Sequence, residues 1–197
     1  QAPDPGLRER RISAGKTSRM GRPLTSMSHE ELWRLFPIVL REHDPGYAAW
    51  YEEEARAVIR ALGADNVARL RHIGSTAVPG LLAKPTVDML LEIPEACDLD
   101  ALRAALEAAG WLFAAQPDKP APHMMFMKGY TEQGFAERVF HLHVRYPGDW
   151  DEPRFRDRLR ARPDEAAAYV ALKRRLARRY KHDRDAYTRG KTDFVRA

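Results

Sequence analysis

The stretch HIGSTAVPGLLAKPTVDMLLEI, His72 to Ile93, decides how the rest of the chain is read. It reads as the end of one strand, a Gly74-Ser75 turn, a loop punctuated by Pro79, Gly80 and Pro85, and a second, apolar strand carrying one carboxylate, Asp88. An acid set among Val87, Met89, Leu90 and Leu91 is expensive to bury unless a cation or hydrogen-bond donors meet it. At the turn, glycine permits close backbone approach, and the Ser75 hydroxyl with neighbouring N–H groups suits phosphate oxygens. A Gly-Ser pair alone is a weak signal, since most such pairs are only turns.

Upstream of this stretch, Ser28 and Glu31 form a capping box that starts a short helix through Leu32, Trp33, Leu35 and Phe36, stopped at Pro37. Tyr47, Trp50, Tyr51, Ala55, Val58, Ile59 and Leu62 recur at helical spacing, with Gly63 closing that helix. Short apolar runs at 67–73 and 86–93 predict central strands. Downstream, Leu99, Leu102, Leu106 and Ala109 define a helix, and 111–113 resumes extended structure. Residues 123–127 and 136–146 read as antiparallel strands joined around Gly129 to Gly134, and helices are predicted near 155–160, over 164–179 and over 184–195. The order predicts an α+β domain over 29–197, with a mixed sheet of four or five strands and helices mainly on one side. Residues 1–28 mix Arg with Gly, Pro and Ser without apolar periodicity and are expected to be a disordered basic tail.

The net charge is +5, unevenly spread: +4 over 1–28, −8 over 29–153 and +9 over 154–197. An acidic body with a basic C-terminal third is a poor nucleic-acid footprint, and the alternative is solvated arginine-rich helix faces. Arg154, Arg156, Arg158 and Arg160, at every second position, cannot share one helix face. Cys97, the sole cysteine, excludes an intramolecular disulfide and cysteine-rich zinc chemistry, and is expected to be a small structural residue. No apolar run approaches a membrane span and no signal-peptide pattern is visible, so a cytoplasmic location is expected. His141 and His143 alternate with Leu142 and Val144, so both imidazoles leave one face of a strand.

HIGSTAVPGL (72–81), AKPTVD (83–88), HLHV (141–144), the later YVALKRRLA and AYTRGKTDF, and the opening FPIVLREHDPGYAAWYEEEA resemble the GrpB family, over roughly residues 30–197. That family is placed in the nucleotidyltransferase superfamily. The resemblance implies a nucleotidyltransferase-like sheet whose site is closed by the C-terminal helices. It also implies phosphate binding at Gly74, Ser75 and Thr76, with Lys84, Lys173 and Lys191 neutralising charge. Asp88 would bind metal or act as base, and His141 and His143 stand where the superfamily supplies a further carboxylate, so Asp88, His141 and His143 become the metal set and Asp88 with His143 the catalytic pair. Imidazoles suit Zn²⁺, Mn²⁺ or Fe²⁺ better than Mg²⁺, although Mg²⁺ or Mn²⁺ is usual in nucleotidyl transfer.

The second superfamily acid would stand at Leu90, where this chain has none. Glu92 shares the strand face of Asp88 but lies roughly 13 Å away by strand rise, too far to share one ion. Two functions follow from the resemblance: transfer of a nucleotidyl group from a nucleoside triphosphate to a small acceptor, or a non-catalytic nucleotide- or phosphate-binding module with a degenerate metal site. For His72, beside the turn, and for Tyr169/Lys173 and Tyr187/Lys191, four apart on their helices, structural roles are equally open.

Overall fold

In the computed structural model, residues 22–116 and 118–196 are described. Five strands, β1 (Arg69–Ile73), β2 (Val87–Glu92), β3 (Leu112–Ala114), β4 (Met124–Thr131) and β5 (Gly134–Arg145), form one sheet in the order β1-β2-β5-β4-β3. The β2–β5 pair is parallel and the others are antiparallel. The α+β class with a five-stranded mixed sheet flanked by helices therefore holds.

Helices α2 (Gly46–Leu62) and α3 (Leu99–Ala108) cover one face. Val58, Leu62, Leu102 and Leu106 pack there on Met89, Leu91, Phe126, Leu142 and Val144, all buried. Val87, Met89 and Leu91 point to this face and Asp88, Leu90 and Glu92 to the other, the alternation of a strand whose two sides have different work. α4 (Asp151–Ala161), α5 (Pro163–Arg179), α6 (Arg184–Arg189) and α7 (Thr192–Arg196) pack against the loop between β1 and β2, where Leu159 and Tyr169 meet Val78 and Leu81. They form a wall beside the second face rather than a lid over the first core.

Of the expected tail, residues 1–21 lie outside the described residues. Residues 22–28 carry a short 3-10 turn at Leu24–Ser26, and Arg22 pairs with Glu31 at 2.8 Å. Ser28 caps α1 (His29–Leu35) through the expected capping box. Several boundaries differ from the sequence reading: α4 begins at Asp151 rather than near Phe155, and β4 runs on to Thr131. Two of the differences turn on a glycine. Gly129 belongs to β4, where the register shifts between Lys128 and Tyr130, and the hairpin turn lies between Thr131 and Gly134. The φ of 88° at Gly129 and a Cβ position that would collide with Arg138 O make it a bulge glycine, which sequence alone does not separate from a turn glycine. The last predicted helix is two, α6 and α7, separated at Gly190, where an added Cβ would meet Leu176 Cδ2 at 2.6 Å.

Candidate functional site

Parallel pairing of β2 with β5 sets Asp88 opposite His141 and Leu90 opposite His143. Both histidines and Asp88 thus leave the face not covered by α2 and α3, on the floor of a cleft of about 1950 Å³. One ligand atom from each of Asp88, His141 and His143 lies within 4.8 Å of the others. The His141 Nδ1–H donates to Asp88 Oδ1 at 3.1 Å, and His143 Nε2 stands 3.6 Å from the same oxygen. Tyr130 donates to His141 Nε2 at 2.7 Å, and Arg184 donates to the Tyr130 oxygen at 2.8 Å. Burial lowers the His141 pKa and keeps the imidazole neutral, so its single ring proton serves one of its two neighbours, Asp88 or Tyr130, at a time. Burial alone would raise the Asp88 pKa; hydrogen bonds from His141 and His143 outweigh it and hold the carboxyl far below the usual range.

The site is a two-histidine, one-carboxylate set, whose donors fit Mn²⁺, Fe²⁺ or Zn²⁺ better than Mg²⁺. With a metal on His141 Nδ1, the ring proton would sit on Nε2 and be donated to the Tyr130 oxygen 2.7 Å away, the outer support such ligands use. Leu90 is fully buried, so the position two residues after Asp88 on the same strand face holds a packed apolar side chain. Glu92 is also buried, and its carboxylate accepts from Arg71 at 3.0 Å and Gly148 N at 3.2 Å, with Arg69 at 3.5 Å, away from Asp88.

Gly74 has φ 73° and ψ −173°, a conformation reserved for glycine. A Cβ there would fall 2.6 Å from Asp88 Oδ2, so the turn lies directly against the carboxylate. Ser75 Oγ accepts from Lys173 Nζ at 3.2 Å. Lys173, buried under the Tyr169 ring at 4.7 Å, also donates to Leu82 O. It ties the turn to α5, although its side chain lines the cleft. Lys84 and Lys191 flank the Tyr187 ring at 5.7 and 4.6 Å, and neither pairs with a carboxylate among the described residues. Burial drives Lys84 down to about 7 and lowers Lys191, each then adjusted by neighbouring charges that include Asp88.

Thr76 stands apart from the cleft. Its buried hydroxyl donates to Thr86 O at 3.1 Å and accepts from His72 Nε2 at 3.0 Å. His72 leaves β1 toward α2, where it stacks on Tyr51 at 5.0 Å, so its role is to fix the turn. The arginines of α4 divide as their spacing requires: Arg156 donates to His72 O at 2.7 Å and Arg160 to Ala77 O at 2.6 Å, while Arg154 pairs with Asp149 and Asp151 and Arg158 with Glu165. Arg156, Arg160 and Lys173 thus brace the turn and the loop that follows it. Burial, aided by the Asp98 charge, raises the Cys97 pKa and keeps it a thiol. Tyr130 and Arg184 carry no signal in the sequence, Tyr130 lying in a segment that reads as a turn, whereas Tyr187 is legible there as the helix-face neighbour of Lys191.

Burial lowers the His72 pKa to about 4 from an ordinary 6.5, against the pull of Asp88. The folded protein then holds fewer protons than the unfolded chain, so this contribution is intact above pH 6.5 and lost progressively as pH falls toward 4. Melting temperatures followed over that range should decline on acidification, and His72→Gln should flatten the decline. An unchanged slope in the variant would remove His72 as its source.

A family model described as GrpB protein matches residues 37–197. A UPF0157 protein of Pseudomonas aeruginosa is 42% identical over 153 residues, covering 77% of this chain and 62% of that protein. One from Streptomyces coelicolor is 33% identical over 163 residues, covering 81% of each. A crystal structure of the conserved protein GrpB from Enterococcus faecalis superposes with a TM-score of 0.68 at 30% identity, covering 80% of this chain and 93% of that one. Among the described residues, no helix is long and apolar enough to cross a membrane.

Proposed function

We propose that this chain, which belongs to the GrpB family, transfers a nucleotidyl group from a nucleoside triphosphate to a small acceptor with the aid of a divalent metal. The observation that carries the reading is the meeting, in one cleft, of the Asp88, His141 and His143 set with Lys84 and Lys191, two cations without a carboxylate partner among the described residues. A half-buried ammonium lacking a counter-ion is costly, and a polyphosphate would supply the missing charge.

Lys84 and Lys191 would hold the leaving pyrophosphate, and the Gly74-Ser75 backbone would border the transferred phosphate. A metal bound by Asp88, His141 and His143 would offset charge on phosphate and attacking oxygen. As the acceptor oxygen bonds to the α-phosphorus and the bond to pyrophosphate breaks, the acceptor proton would pass to solvent water, because the imidazole of His143, the more open of the two, would be engaged on the metal and have no free lone pair. The second reading, a binding module that does no chemistry, is favoured by Leu90, buried where a second acid would stand.

The test is the melting temperature with ATP, GTP, CTP or UTP and Mn²⁺, Zn²⁺ or Mg²⁺, followed by pyrophosphate release against candidate acceptors. A metal-dependent rise is expected, since a ligand that binds only the folded state stabilises it. No rise with any nucleotide at millimolar concentration would end the nucleotide reading, and a rise without turnover would favour the module. The rise should also shrink as pH climbs above about 7, because Lys84 and Lys173, both lowered to about 7 chiefly by burial, shed the charge that attracts phosphate. A rise that stays constant from pH 6 to 9 would exclude these lysines as the source of binding.

A further inference from the structure

We propose that Arg145 forms a second anion subsite in the cleft, one that takes a carboxylate of the acceptor molecule; the inference rests on the nucleotidyl-transfer reading of that cleft. Arg145 is only 4% exposed, lines the cleft, and follows His143 by two positions on the same face of β5. Its Nη1 donates to Val144 O at 2.8 Å and Met124 O at 3.3 Å, which anchors the group, while its buried Nε has no hydrogen-bond partner. An unmet buried donor on a charged group is costly.

The acid expected to pair with Arg145 is occupied elsewhere. Glu92 is its direct neighbour on β2, yet its carboxylate is held by Arg71, Arg69 and Gly148 N. Asp149 and Asp151 are tied to Arg154 at 2.9 and 2.5 Å. Glu152 reaches Arg145 only as a field, with no ion pair between them among the described residues. Two arginines therefore hold the one buried carboxylate, and Arg145, its register neighbour, lines the cleft without an acid partner among the described residues.

The chemistry of the missing partner follows from the same surroundings. With Nη1 committed to carbonyls, the remaining edge of the guanidinium matches the two oxygens of a planar carboxylate. Asp149, Asp151 and Glu152, close to Arg145 in the sequence, also line the cleft and disfavour a doubly charged phosphate beside it more than a singly charged carboxylate. Trp150 lies over the guanidinium at 5.9 Å, pinned by its Nε1 donating to Tyr146 O at 3.0 Å, and gives the subsite an aromatic wall. The acceptor would thus be held by its carboxylate beside His143, with its nucleophilic oxygen toward Asp88.

The experiment measures the melting temperature of the full chain with saturating Mn²⁺ and pyrophosphate, adding succinate, L-glutamate, L-aspartate or glycine, each beside its amide. The acids should raise it by roughly 3–6 °C at tenfold excess over Kd, and the amides should not. Arg145→Gln should weaken that response roughly 30-fold or more, with Arg145→Lys intermediate; a cooperative melt without ligand establishes that each variant folds. Equal responses to acids and amides, no response to any acid, or an acid response that survives in Arg145→Gln would overturn the proposal. The acid–amide comparison needs only the unaltered protein, so it decides the matter even where a variant fails to fold. Failure of Mn²⁺ and pyrophosphate to stabilise the unaltered protein is read separately and counts against the nucleotidyl-transfer reading itself.

Discussion

Asp88→Ala should abolish metal-dependent stabilisation and lower the melting temperature in the absence of metal. The carboxylate is one of three donors whose atoms lie within 4.8 Å of one another, and no acid replaces it because Leu90 and Glu92 are committed elsewhere. Losing a supporting group costs about 10–100-fold in metal affinity, so losing a ligand should cost at least about 100-fold. Asp88 also offsets the charge of Lys84 and Lys191. Removing one partner from a buried charge group costs about 3–5 kcal/mol, or roughly 6–20 °C for a chain of this size. Asp88→Asn should lose the metal response while losing less stability, because its amide oxygen still accepts from His141 Nδ1. Mn²⁺ titration by calorimetry checks the first effect and thermal melts the second; unchanged Mn²⁺ affinity in Asp88→Asn would remove the triad as a metal site.

Gly74→Ala should be the most damaging single-methyl change at the cleft. The residue would adopt φ 73°, ψ −173°, at a cost of order 1–3 kcal/mol. Its Cβ would also lie 2.6 Å from Asp88 Oδ2, so turn or carboxylate must move. Gly80→Ala is the matched control: φ is 74°, but nothing lies within 4 Å of the added carbon. Gly80→Ala should cost only the backbone conformation and keep the metal response, whereas Gly74→Ala should lose a further 1 kcal/mol or more, by order of magnitude, and the response with it. Equal melts and equal responses would mean that the turn is not pressed against the carboxylate.

The sequence was most legible where a residue contradicted its surroundings. Asp88 in an apolar run and two histidines alternating with Leu142 and Val144 announced a polar floor under one face of the sheet. Their register was not legible, because no local signal says that β2 and β5 are parallel neighbours. The family resemblance implies a phosphate contact for Thr76, but the 3-10 turn after Gly74 rotates its hydroxyl inward to Thr86 and His72. Gly129 read as a turn because a bulge glycine and a hairpin glycine have the same composition. Tyr130 and Arg184 were invisible for a related reason: the bulge aims Tyr130 at His141, and a helix 54 positions later brings Arg184 to it.

Asp88 and His141 are separated by 53 positions and meet only through the parallel pairing at the centre of the sheet. Loop-closure entropy of that size must be overcome before the contact returns any energy, which makes such pairings late events in folding. A partly folded chain holding only the β4–β5 hairpin would own both histidines but not the acid. Recovery of the three-ligand centre during refolding therefore reports completion of the central sheet, and its kinetics should follow the slowest phase of tertiary assembly rather than the early appearance of helices.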